Sequence, residues 1–401
     1  VFSEWSEPFE YQPTLVSGVR LKLDPLGIYY NASKSSAASN AGKLVIPAYC
    51  SADGKPVGGI AENAFQNCDQ ITSVIIPDTI AIIAVGAFEN CKNLERIYFA
   101  EREGHLSIAT RAFAECTSLK ELTIPASVWE IVGGAFAGCN QLTSLTVDLD
   151  NKFFWSENNS VFRFEDDALV VPSTQTNVIP PFVKTIVEGA FAGYHNLREI
   201  VIPGTVKEVQ ENAFADCTAL EKVTIEEGVQ TIGRWTFYNC FPLKELHLPA
   251  SVESFDASMI SGCGNLKKLT VSTGNAVFYS EDNCIFRKAE PELVMGCVAS
   301  VIPAYVKKIG DSAFYGAPIK EITIPEGVEH IGDGAFWATR LTRVVLPSTL
   351  KTIGAGAFGR SLESEWQGLT EINLPEGLVS IGDYAFSGNI NLVVILPKSV
   401  Q

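Results

Sequence analysis

Apolar residues return along this chain in one repeating frame. Leu220, Val223 and Ile225 are spaced by three and then two, Val229, Ile232, Phe237 and Cys240 follow, and Leu243 starts the frame again. The same frame runs through Leu119, Leu122, Ile124, Pro125, Val128, Ile131, Phe136 and Cys139, and through Ile319, Ile322, Ile324, Pro325, Val328, Ile331 and Phe336. An Ala-Phe pair marks each return, at Phe65, Phe88, Phe113, Phe136, Phe191, Phe214, Phe314, Phe336, Phe358 and Phe386, while Thr236-Phe237 and Met259-Ile260 fill two further slots. The steps are 23, 25, 23, 55, 23, 23, 23, 54, 22, 22 and 28 residues, so about 12 coils of about 23 residues are expected, with two long interruptions.

The spacing of two before the proline predicts a short strand in every coil. Proline then ends the ladder and turns the chain, at Pro77, Pro125, Pro203, Pro249, Pro325, Pro347 and Pro375. Ile-Gly follows at Ile232-Gly233, Ile331-Gly332, Ile353-Gly354 and Ile381-Gly382, where glycine is expected to supply a second sharp bend. One such coil cannot bury its apolar residues alone, but stacked coils share a continuous core with an aromatic column of Phe side chains. The expected fold is therefore a solenoid of α/β type, mostly β and irregular, with strands about 4.8 Å apart. An elongated, curved rod is expected.

The two interruptions are related. Residues 151–162, Asn-Lys-Phe-Phe-Trp-Ser-Glu-Asn-Asn-Ser-Val-Phe, parallel residues 275–286, Asn-Ala-Val-Phe-Tyr-Ser-Glu-Asp-Asn-Cys-Ile-Phe, at an offset of 124, and both segments lead to Val-Ile-Pro. Asn158-Asn159 and Asp282-Asn283 stand between apolar runs as hairpin turns. Each insertion, about 148–180 and 272–303, is expected to form a β-hairpin against the solenoid. Gly27-Ile28-Tyr29-Tyr30 and Lys43-Leu44-Val45-Ile46-Pro47 form a looser third copy. Residues 1–42 are expected to be a terminal segment that seals the first coil of a solenoid over 43–401, because an open end would expose a strand edge.

The frame resembles the BspA-like, or Treponema pallidum-type, leucine-rich repeat, whose signature is Leu-x-x-Ile-x-Ile-Pro-x-x-Val-x-x-Ile-Gly-x-x-Ala-Phe-x-x-Cys. The match covers roughly residues 43–401. It implies a right-handed leucine-rich-repeat solenoid, an exported or cell-surface bacterial location, and adhesion to host, matrix or other cell-surface proteins. The last coils depart from the signature, with Ala317, Thr339, Ser361 and Asn389 where cysteine is expected.

Composition narrows the function. A net charge of −16 repels phosphate backbones, so no nucleic-acid partner is expected. No apolar run reaches about 18 residues, so no transmembrane helix is expected. Residues 1–12 hold no apolar signal segment, and a start at Val1 fits removal of an export signal as well as an arbitrary start.

Seven of ten cysteines, Cys68, Cys91, Cys116, Cys139, Cys217, Cys240 and Cys263, stand three residues after the Phe slot. Parallel stacked side chains do not converge as a disulfide requires, so a repeated small buried hydrophobe is expected there. Cys284 and Cys297 replace Ser160 and Ser173 of the first insertion. They form a candidate disulfide across the hairpin, with two separate thiols as the alternative, and Cys50 has no evident partner.

Catalytic groups are scarce. His105, His195, His247 and His330 are the only histidines, and no zinc, phosphate-loop, nucleophile-elbow or dinucleotide motif occurs. No enzyme activity, cofactor or metal is expected. The acidic groups Asp148, Asp150, Glu165, Asp166 and Asp167 match no EF-hand spacing. A protein partner is expected instead, bound by a monomer. The candidates on the outward strand positions are Ile75, Tyr98, Val201, His247, Lys244, Lys267 and Lys320. The candidates on the hairpins are Phe153, Phe154, Trp155, Phe278 and Tyr279, and Trp366 is a further one. If the hairpin aromatics act as stacking platforms, carbohydrate binding is the competing expectation.

Overall fold

A computed structural model describes residues 19–23, 30–34, 42–101, 104–175, 177–360 and 368–400. Residues 1–18, most of the Gly27–Tyr30 motif, Ser361 and Trp366 lie outside the described residues. The chain divides into two compact units, residues 1–176 with 187–194, and residues 177–186 with 195–401. Each is a β-solenoid, and among the described residues the one helix is a 3₁₀ turn at Ala257–Ile260.

In the first unit one parallel ladder is built from Gly42–Val45, Ile71–Ile76, Arg96–Phe99, Glu121–Ile124 and Ser144–Val147. Its pattern of exposed, buried, exposed, buried in Glu121–Ile124 is the alternation that the Leu-x-Ile spacing predicts. A second ladder, after the proline turn, runs through Val57–Ile60, Ile82–Ile83, Leu106–Ile108 and Val128–Ile131. Its open end is closed by Val19–Leu23, antiparallel to Tyr30–Lys34, which itself lies parallel to Val57–Ile60. Between the ladders sits the core. Phe65, Phe88, Phe113 and Phe136 stack face to face with centroids 5.1, 5.2 and 5.5 Å apart, so each coil's ring covers the next.

In the second unit the first ladder pairs Glu199–Ile202 with Lys222–Ile225, and Glu245–Leu248 with Lys268–Val271. It resumes at Glu321–Thr323, Arg343–Val345, Glu371–Ile372 and Val393–Val394. The second ladder joins Thr185–Ile186, Glu208–Val209, Thr231–Ile232 and Ser254–Phe255, and later Lys308–Ile309, His330–Ile331, Thr352–Ile353 and Ser380–Ile381. The aromatic column continues in Phe214 and Phe237 at 5.6 Å, and in Phe314, Phe336, Phe358 and Phe386 at 5.1, 5.3 and 5.8 Å.

Among the described residues the turns number about 14 rather than 12, because each insertion adds a strand to the stack besides forming its hairpin. Phe278–Glu281 and Cys284–Arg287 pair antiparallel around Asp282 and Asn283, both at positive φ. Glu292–Gly296 then pairs with the hairpin and lies parallel to Lys308–Ile309, with Leu293 opposite Ile309. The first insertion repeats this in Phe154–Glu157, Ser160–Arg163 and Ala168–Val171, and the Leu169 carbonyl accepts the Val187 N–H at 3.2 Å.

The Ile-Gly glycines work differently from the expectation. Gly233 and Gly332 do not adopt positive φ; a side chain there would come within 2.7 Å of the backbone nitrogens of Glu211 and Asp311 in the preceding coil. They permit close coil-to-coil approach. The left-handed bends fall two residues either side of the Phe slot, as at Asn63 and Asn67 or Asn212 and Asp216.

Candidate functional site

The first ladder turns alternate residues outward, and the register sets them in rows. In the first unit Val45 is opposite Ile75 and Ile75 opposite Tyr98, an apolar row in which Tyr98 is 47 % exposed. The same row continues with Thr123 and Thr146, whose hydroxyls lie 3.0 Å apart. In the second unit Val178 bridges to Val201, 72 % and 46 % exposed, and Val201 faces Thr224. Val45 and Val178 were legible as contributors, since each stands directly before Ile-Pro, as Ile75 and Val201 do.

The flanking rows are charged with alternating sign. Arg96 meets Glu121 at 3.0 Å, Glu221 holds both Arg198 at 3.3 Å and Lys244 at 3.1 Å, and Lys268 meets Glu245 at 3.2 Å. Lys244 is thus already engaged, while Lys267 and Lys320 are exposed. His247 donates or accepts between Thr270 Oγ1 and Ser272 Oγ, both at 3.0 Å. His195 and His330 sit likewise beside Thr218 at 3.1 Å and Thr352 at 2.9 Å. Where these pairs form, the face neutralises its charge, and apolar rows, hydroxyls and the exposed Lys267 and Lys320 are left for contact.

The hairpin aromatics divide. Phe154 and Phe278 are 2 % and 3 % exposed, so they are core residues and not contact residues. A buried asparagine three residues earlier ties down the segment that leads into each Phe. Asn275 Oδ1 accepts the N–H groups of Val277 and Phe278, and its Nδ2 donates to the carbonyls of Pro249 and Val252. Asn151 makes the same four bonds around Phe154. Trp155 and Tyr279 are half-buried, packed on Phe162 at 4.6 Å and Phe286 at 5.1 Å. Phe153 meets the His105 ring at 6.0 Å.

The cysteines are all free and buried. Cys284 is registered opposite Gly296, not Cys297, so the two thiols are offset across the strand pair, and both are free in this structure. Their S–H groups turn to the carbonyls of Val301 and Asn283. In the regular coils the thiol does more than fill space. Cys91, Cys116, Cys139, Cys240 and Cys263 donate to the carbonyls of Phe65, Phe88, Phe113, Phe214 and Phe237, each in the preceding coil, at 3.1–3.3 Å. Burial pushes Cys139 and Cys284 up to about 12 and raises Cys116 and Cys263 well above the usual thiol value.

Arg163 binds Asp166 at 2.9 and 2.6 Å and holds its carboxyl below the usual range, while Asp148 accepts the Asp150 N–H at 2.9 Å. Among the described residues no three His, Cys, Asp or Glu side chains are placed to hold a metal ion.

The family model of the BspA type leucine rich repeat region, in six copies, matches residues 58–168, 165–288 and 297–401. A leucine rich cell surface protein from Faecalibacterium prausnitzii is similar in structure at 22% identity and a TM-score of 0.45, over 98% of this chain and 90% of that one. The pneumococcal vaccine antigen PcpA is similar at 20% identity and 0.35, over 94% and 78%. The leucine rich repeat protein of T. pallidum is similar at 22% and 0.35, over 58% and 91%. No curated protein matches.

Proposed function

The chain belongs to the BspA-type leucine-rich repeat family, and from that premise we propose that it is an exported or cell-surface protein that binds a protein of a host, matrix or neighbouring cell through its outward strand ladder. The observation that carries this is the apolar row Val45, Ile75, Tyr98 held in register on an exposed sheet face, with Val178 and Val201 as its counterpart in the second unit. Exposed apolar rows rimmed by satisfied charge suit protein contact, where a central aromatic carries much of the energy. Binding rather than catalysis is the reading this supports, and a monomer is the proposed form. Carbohydrate binding at the hairpins has weaker support, because Phe154 and Phe278 are enclosed.

The test is a pull-down of host and matrix proteins with the parent chain and with Tyr98→Ser and Val201→Thr. Hydroxyl residues occupy the same outward positions in sibling coils, at Thr123 and Thr224, so both variants are expected to fold. Affinity for the captured protein should fall about tenfold or more in at least one variant. Equal affinity in both would remove recognition from the ladder.

A further inference from the structure

Two positions flank each Phe slot, two residues before the Phe and one after; small residues there, such as Ala114, Ala137 and Ala192, are buried, while Asn63 and Arg111 are exposed. In the first unit these positions hold Asn63 and Gln66, Gly86 and Glu89, Arg111 and Ala114, Gly134 and Ala137, and Gly189 and Ala192. The coil therefore closes repeatedly without any aromatic residue there. In the second unit Trp235, Tyr238, Tyr315 and Trp337 stand at four of these positions, all half-buried, and Tyr384 at a fifth, exposed, while small or polar residues such as Asn212, Ser258 and Ser312 fill others. The Arg234 guanidinium lies over the Trp235 ring at 3.9 Å, and Tyr238 is 6.4 Å from that ring. Tyr315 lies within electrostatic reach of Arg234 and Tyr238. At Gly334 a side chain would reach both Tyr315 and Trp337, at 4.0 and 3.7 Å, and the Trp337 indole spreads over Gly356 and Gly359. The rings thus form one neighbourhood. Trp235 has a φ of 53°, a conformation that strains a bulky residue; Asn63 and Asn212 fill it at the equivalent positions, as do Arg111, Ser312 and Tyr384.

We propose that this turn face of the second unit binds a neutral glycan chain, with Trp235, Tyr238, Tyr315 and Trp337 as stacking faces. The backbone there is already committed between coils: Phe314 N–H to Ala335, Gly316 N–H to Trp337, Phe336 N–H to Ala357 and Ala338 N–H to Gly359, at 2.7–2.9 Å. A polypeptide seeking main-chain pairing finds no open row, so recognition falls to side chains. Asp311 and Asp333 are exposed, and each spends one carboxylate oxygen on the next coil, on Asp333 N–H at 2.9 Å and Ala355 N–H at 2.7 Å. That fixes each carboxylate and leaves a second oxygen to accept sugar hydroxyls. Aromatic faces beside fixed acceptors complement a ring with an apolar C–H face and a hydroxyl rim. The net charge of −16 disfavours anionic sugars. These residues take no part in the strand-ladder proposal, so the two stand or fall separately.

The test is an array of neutral oligosaccharides, followed by tryptophan-fluorescence titration of any hit, on the parent chain, Trp235→Asn, Tyr315→Ala, Trp337→Ala and, as control, Tyr98→Ser. The parent should bind at least one neutral oligosaccharide. Trp337→Ala and Trp235→Asn should each weaken it about tenfold or more, with Tyr98→Ser unchanged. Trp235→Asn should melt at or above the parent temperature, since it relieves the strained turn. No glycan bound by the parent, equal binding in all three turn variants, or a lower melting temperature for Trp235→Asn would overturn the proposal. Capture of a proline-rich peptide in place of any glycan would overturn it too.

Discussion

The cysteine that follows seven of the Phe slots shows how one atom can serve two coils. Its thiol is small enough for a closed core and still donates to the Phe carbonyl of the coil before, as Cys139 does to Phe113 at 3.2 Å. At two coils that lack the cysteine another side-chain donor stands in its place. Asn389 Nδ2 reaches Phe358 at 2.8 Å, and Tyr194 OH reaches Pro172 at 2.9 Å. Cys139→Ala removes both the donor and the volume, and should cost about 1–3 kcal/mol, read as a lower urea midpoint. A thiol reagent should find the buried cysteines of the native chain unreactive and all ten reactive after denaturation. Rapid labelling of the native chain would contradict the burial.

At the scale of elements, the insertions are splices in the ladder. Where Lys268–Val271 loses its regular neighbour, side chains of the insertion complete it: Ser280 Oγ accepts the Val271 N–H at 2.9 Å and Asn283 Oδ1 the Leu269 N–H at 3.3 Å. Ser156 and Asn159 do the same for Val147 and Leu145. Asn275 anchors the splice with four hydrogen bonds in a fully closed site. Asn275→Leu fills a similar volume but leaves two N–H groups and two carbonyls without that partner. We expect a loss of about 3 kcal/mol or more, measured by urea denaturation. Asn275→Asp keeps the acceptor and loses both donors, and should lie between Leu and the parent. Equal stability of all three chains would mean the asparagine is not the anchor.

Across the whole molecule the acidic excess has a structural use. Turn carboxylates cap backbone N–H groups of neighbouring coils: Glu227 accepts from Ala250 and Ser251, Glu326 from Ser348, and Asp311 and Asp333 from the coils after them. The Ser348 N–H lowers the Glu326 carboxyl, Lys351 lowers Glu329, and Arg163 lowers Asp166. A lowered carboxyl contributes stability above its ordinary range and loses it as pH falls through the shifted value. The buried thiols have the opposite sign. Cys139, raised from 9.0 to about 12, contributes fully below 9.0 and loses that contribution as pH rises towards 12. The urea midpoint should therefore be level between about pH 5 and 8.5 and fall on both sides. A midpoint still climbing above pH 9, or unchanged at pH 3, would contradict these assignments.

The period of apolar residues, the prolines and the paired turn residues determined the coil, the strand before each proline, the aromatic column and the hairpin turns. Each of these depends only on which residues a coil must bury and where the backbone must bend. Only the tertiary structure decided what happens between coils. The register places Val45 beside Ile75 and Tyr98, although 53 residues separate the first from the last. Strand alternation sends Phe154 and Phe278 inward while Trp155 and Tyr279 stay half-covered. Cys284 meets Gly296 and not Cys297 for the same reason. Such facts follow from stacking, because a side chain's neighbour in the next coil is set by ladder register rather than by spacing along the chain.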